Sequence, residues 1–132
     1  ALWLGAIEED YQTVIGINCT TRLTDLIREK GLNEHGIYYY TFGLLQNFDV
    51  EVLYGLIAPR PLLLINGELD PLTPKSGVDR VTEYLSELYA EHQASGLFQS
   101  KIYEGIGHEF TESMRVETND FITTHLLSES ES

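Results

Sequence analysis

The chain has 132 residues, 42% of them hydrophobic, which suits one domain (residues 1–132) with a sizeable core. Its 21 acidic residues against 8 basic ones give a formal charge of −13, a surface that repels phosphate backbones and anionic lipid, so no nucleic acid and no membrane is expected as a partner. The longest apolar run, Leu62, Leu63, Leu64 and Ile65, is strand-sized and far short of a membrane span.

Residues 1–8 are apolar but lack an initiating Met and a basic flank, so they read as part of a helix that begins elsewhere rather than as a secretory signal. Residues 13–18 form a β-branched run bounded by polar residues, the pattern of a buried strand. Cys19 is the single cysteine and has no internal disulfide partner, which fits a reducing, cytoplasmic setting. Asn18-Cys19-Thr20 matches the N-glycosylation pattern, but a glycan is hard to place at the end of an apolar strand. Thr21 is placed to cap a helix running to Lys30, with Leu23, Leu26 and Ile27 on one face and Gly31 as its stop.

Residues 32–48 show no clean period and are dense in aromatics, including Tyr38, Tyr39, Tyr40 and Phe42. They read either as a lid-like wall over a site or as an aromatic patch buried against the fold. Asp49 can cap a short helix to Leu56, which Ala58-Pro59-Arg60-Pro61 separates from the strand beginning at Leu62. Ser76 with Asp79 has capping-box spacing and opens a helix with Val78, Val81, Leu85, Leu88 and His92 in phase, closed by Gly96. A third strand spans residues 99–103. The last helix, residues 111–127, turns Met114, Phe121, Ile122 and Leu126 inward, and residues 128–132 read as a frayed low-complexity tail. Helices alternating with strands predict an α/β fold with about three parallel strands and helices on both faces.

In such sheets ligands gather beyond the carboxyl ends of the strands, where Asp70 and His108 both fall. A neutral imidazole takes a proton from an attacking hydroxyl, and a carboxylate on its other nitrogen fixes the tautomer and stabilises the new charge. Taken singly, Asp70-Pro71 also reads as the start of a turn and His108 as an ordinary loop histidine. Together they stand in the order acid then His after consecutive strands, with Gly105 and Gly107 freeing the backbone at His108 and Pro71 and Pro74 stiffening the loop of Asp70.

The segment from Leu56 through Ala58-Pro59-Arg60-Pro61 and Asn66-Gly67-Glu68-Leu69-Asp70-Pro71 to Pro74 resembles the acid loop of α/β-hydrolases, most closely the branch of dienelactone hydrolases and acetyl-xylan-esterase-like enzymes. Tyr103-Glu104-Gly105-Ile106-Gly107-His108 is similar to the catalytic-His segment of that branch. The resemblance spans most of the chain and is weakest in the aromatic middle. It implies the C-terminal half of an α/β-hydrolase fold, with Asp70 as the acid and His108 as the general base of a serine-type ester hydrolase acting on a small ester-like substrate.

The chain departs from that family in one respect: no Gly-x-Ser-x-Gly or Gly-x-Cys-x-Gly occurs in it. The resemblance puts the nucleophile a few residues before Ala1, and these residues alone are expected to show no turnover. The strand at residues 13–18 is then expected to pair with a missing amino-terminal half, another copy or another chain. Cys19 lacks the flanking glycines of a nucleophile elbow and reads as a small buried residue. Ser76 and Ser113 read as a cap and a helix position, His35 as an exposed loop residue or a cavity wall, and His92 and His125 as helix positions. No Cys/His cluster has zinc spacing, and neither a metal nor a cofactor is expected. The rival readings are a non-catalytic hydrolase-like scaffold subunit and a small-molecule binder using the aromatic segment.

Overall fold

A computed structural model describes residues 1–127, so the tail expected to fray, residues 128–132, lies outside the described residues. The element order is α1 (Leu2–Ile7), β1 (Val14–Ile17), α2 (Leu23–Arg28), three 3-10 turns, α3 (Val50–Gly55), β2 (Leu62–Gly67), α4 (Lys75–Glu91), β3 (Phe98–Tyr103) and α5 (Glu112–Ile122), which runs on into a π-helical turn, Thr123–Leu127.

The three strands form one parallel sheet in the order β1-β2-β3. Val14 lies opposite Leu62 and Ile17 opposite Ile65, while β2 pairs with β3 from Leu62–Phe98 to Gly67–Tyr103. β2 is central and covered on both faces, which is why its apolar residues run continuously instead of alternating. Leu62 and Leu64 face one cluster, with Leu2 and Ala6 of α1, Val50 and Tyr54 of α3, and Val81, Leu85 and Tyr89 of α4. Leu63 and Ile65 face the other, with Met114 and Phe121 of α5. All four residues of the run are fully buried, each worth about 1.5–3 kcal/mol of transfer free energy. Helices thus cover both faces of the sheet, as the alternation predicts.

Local choices follow from hydrogen-bond supply. Asp49 caps α3 through Val50 N, and the same carboxylate reaches Leu23 N and Thr24 N at the start of α2. Burial disfavours its charge, yet the bonds from the Thr24 hydroxyl and the Thr24, Val50 and Leu23 amides outweigh burial and hold the carboxyl below its usual range. Thr21 is therefore not the cap of α2; its hydroxyl donates to Leu72 O. Ser76 lies inside the first turn of α4 rather than before it, so its hydroxyl turns to Glu29 and no capping box forms. Ile27, Leu126 and His92 are exposed rather than turned to the core, α4 stops at Glu91 before Gly96, and Tyr89 occupies the buried position.

Arg60 joins the amino-terminal region to the end of α3. Its guanidinium donates to Gly5 O, Glu8 O and Tyr11 O on one side and to Leu56 O and Ile57 O on the other. Gly5 O and Leu56 O are among the carbonyls that helix ends leave without intrahelical donors, and Tyr11 O lies in the loop before β1. The outer edge of β1 is unpaired among the described residues and borders a groove of about 240 Å³ lined by Leu4, Gly5, Tyr11, Thr13, Val14 and Ile15.

Candidate active site

Beyond the carboxyl end of the sheet, the loops after β2 and β3 leave side by side. Glu68 N donates to Tyr103 O (3.0 Å) and Leu69 N to Ile106 O (2.8 Å), so the backbones stay joined past the end of each strand. Asp70 then turns under its own side chain, with Oδ1 accepting from Leu72 N at 2.9 Å, a local bond that Asp makes readily in turns. That bond leaves Oδ2 directed at His108 Nδ1, 2.8 Å away. The Asp70 side chain is 0% exposed and that of His108 53% exposed. A carboxylate can only accept, so Nδ1 carries the proton and, in the neutral ring, Nε2 is the acceptor. Nε2 has no protein partner among the described residues. The structure therefore brings together the two residues singled out by the sequence, in an arrangement that can take up a proton at Nε2 while a buried anion steadies the ring.

The glycine pattern needs a correction. Gly105 has φ +71° and supplies the left-handed turn, with its N–H donating to Glu68 Oε2 at 3.0 Å. Gly107 has neither a positive φ nor a neighbour within 4 Å of a notional Cβ. The glycine that the site does require is Gly67, where a Cβ would lie 2.2 Å from Gly107 O and 2.5 Å from Ile106 O. The backbone of the His loop rests directly on the end of β2.

The turn after β1, which the sequence reading treated as a strand end, brackets both loops. Asn18 Oδ1 accepts from Gly67 N (2.9 Å) and its Nδ2 donates to Glu109 O (2.6 Å). The Thr20 hydroxyl accepts from Asn66 Nδ2 at 3.1 Å, and Thr21 Oγ1 donates to Leu72 O at 2.8 Å. Thr20, Thr21 and Asn66 are 0% exposed and Asn18 8%, so the polar atoms are satisfied internally and Asn18 has no room for a glycan. The only signal in the sequence was the density of Asn and Thr just past an apolar strand.

His35 is a half-buried residue, not an exposed loop position. Its Nε2 meets Leu72 O at 2.9 Å and its ring stacks on Tyr39 with centroids 4.0 Å apart, tying the aromatic segment to the acid loop. Tyr39, Tyr40 and Leu44 pack against the core, while Ile37, Tyr38 and Phe42 face outward. Trp3, Leu23, Tyr38, Tyr39, Thr41 and Val50 line an open groove of about 250 Å³ there. Cys19 packs into the core cluster beside Leu2, and burial pushes its thiol up, the reverse of an activated nucleophile. No cluster of three or more His, Cys, Asp or Glu among the described residues is arranged to hold a metal ion.

The chain is 31% identical over 122 residues to the Bacillus subtilis (strain 168) protein described as "Putative hydrolase YtaP", covering 92% of this chain and 40% of that one. Its fold matches the glucuronoyl esterase catalytic domain from Hypocrea jecorina with a TM-score of 0.73 at 19% identity, over 97% of this chain and 41% of that domain. A glucuronoyl esterase from Solibacter usitatus gives a TM-score of 0.72 at 18% identity, over 96% and 39%. The chain has the fold of the carboxyl-terminal part of an α/β-hydrolase. No family model matches the chain. The chain spans 40% of the length of the curated relative it matches, and within that span it holds a parallel sheet and the paired Asp70 and His108.

Proposed function

We propose that this chain supplies the acid and base of a serine-type ester hydrolase, with Asp70 as orienter and His108 as general base. The observation that carries the reading is the 2.8 Å bond between a fully buried carboxylate and a half-exposed imidazole at the carboxyl rim of a parallel sheet. In the proposed reaction His108 Nε2 removes the proton from an attacking hydroxyl, and the resulting imidazolium is stabilised by Asp70. The same Nε2–H then protonates the leaving alcohol, and a water activated by His108 releases the acid from the acyl-enzyme.

The nucleophile of this scheme belongs to a Gly-x-Ser-x-Gly turn that the 132 residues do not contain. The unpaired edge of β1 supports its arrival on an adjacent parallel strand, contributed by further polypeptide of the same chain or by another chain, which would end on the same rim as Asp70 and His108. The hydrolase and esterase relatives support an ester or related acyl substrate of small-molecule size.

The test is hydrolysis of p-nitrophenyl acetate by the full-length polypeptide and by its His108→Gln and Asp70→Asn variants. Each substitution is expected to lower kcat on the order of 10³–10⁴-fold. Unchanged kcat in His108→Gln refutes the assignment, and an inactive full-length protein with an intact upstream Ser favours the scaffold reading.

A further inference from the structure

The geometry points to Asn18 as a positioning residue that holds the imidazole of His108 against Asp70. This inference rests on the acid–base reading above and adds to it a residue that fastens the stretch just past His108, beyond the backbone bonds that already join the bases of the two loops. Asn18 stands at the carboxyl end of β1, on the rim shared by Asp70 and His108. Its backbone continues the ladder, with Asn18 N donating to Ile65 O at 2.7 Å, and then turns at φ +48°, a conformation that Asn tolerates better than other side-chain-bearing residues.

Both ends of its amide are committed. Gly67 N can only donate, so it takes Oδ1; Glu109 O can only accept, so it takes Nδ2. One end therefore grips the strand end three residues before Asp70, and the other grips the residue directly after His108. At 8% exposure there is little water to replace either bond. The Asp70–His108 bond itself is the weaker restraint on the His loop, since half of the imidazole faces solvent and the ring can swing about its own bonds. Removing Nδ2 frees the carbonyl of Glu109 and lets the His loop rise from the sheet. A displacement of about 1 Å at a reacting group costs roughly 10²-fold in rate.

Two substitutions separate the contacts. Asn18→Gly keeps the left-handed backbone without strain and deletes the whole amide. Asn18→Asp keeps the acceptor for Gly67 N but places a lone pair against Glu109 O. Both are made in the full-length polypeptide beside Asp70→Asn, and each is followed by ester turnover and by ¹⁵N-resolved spectra of the His108 ring. Expected are a fall in kcat of roughly 10- to 100-fold with KM within about twofold in both Asn18 variants, and loss of the single Nδ1–H tautomer, with the amide spectrum otherwise kept. Wild-type kcat and tautomer in both Asn18 variants, alongside an inactive Asp70→Asn, overturn the positioning role alone. Full activity in Asp70→Asn overturns the underlying acid–base reading instead. Collapse of the amide spectrum in both Asn18 variants also overturns the proposal, because it makes Asn18 a residue of general stability.

Discussion

Gly67→Ala is the sharpest probe of how the site is assembled, because the atoms it disturbs are backbone and cannot step aside as a side chain can. A Cβ on Gly67 would lie 2.2 Å from Gly107 O, against the 3.0 Å below which real Cβ contacts essentially do not occur, so the two must separate by at least 0.8 Å. Gly67 sits in the central strand, bonded to Asn18 on one side and paired with Tyr103 on the other. The loop carrying His108 is the softer partner and gives way. Retreat along the line to Asp70 lengthens the 2.8 Å bond to about 3.6 Å, which is no longer a hydrogen bond. The substitution should cost about 1–3 kcal/mol in stability through overpacking and, in the full-length polypeptide, roughly 10²-fold in kcat. Urea denaturation reads the first quantity and ester turnover the second. Wild-type kcat together with an unshifted His108 ring signal would refute the inference that the end of β2 supports the His loop.

Two further outcomes follow from buried groups elsewhere. Asp49→Ala leaves the Leu23, Thr24 and Val50 amides without their acceptor and uncaps two helices, at an expected cost of about 2–4 kcal/mol in urea melts. Because the folded Asp49 carboxyl titrates below its ordinary value of 3.8, its contribution is complete above that value and is lost as the pH falls through the depressed folded one; the variant's acid melt should lack that component. For Cys19, whose thiol is pushed up by burial, a thiol-specific chromogenic reagent at pH 8 should react at least roughly tenfold more slowly with native than with urea-unfolded protein, and equal rates would contradict its packing.

The parts legible in the sequence were those governed by short-range pattern. The continuous run at Leu62–Gly67 reads as a strand covered on both sides, and Asp70 and His108 each follow a strand end, where their side chains meet. Caps were misread where the partner lies far along the chain. Thr21 and Ser76 have the right chemistry at the right spacing, but Asp49, some 26 residues away, already satisfies the start of α2, and α4 begins one residue before Ser76. Helical phase placed Ile27 and Leu126 inward, yet burial depends on what stands opposite, which no periodicity encodes. Gly67 drew no reading of its own and Asn18 read as a strand terminus, since contacts across 49 and 91 residues leave no local trace.

The grip of Arg60 on the carbonyls of Gly5, Glu8 and Tyr11 has a thermodynamic consequence for the open side of the sheet. The approach to β1 is already immobilised from the far end of α3, so its row of amides and carbonyls stands at fixed spacing before anything docks there. A strand arriving at that side would surrender only its own conformational freedom, and association there would carry about half the ordering entropy of joining two flexible segments.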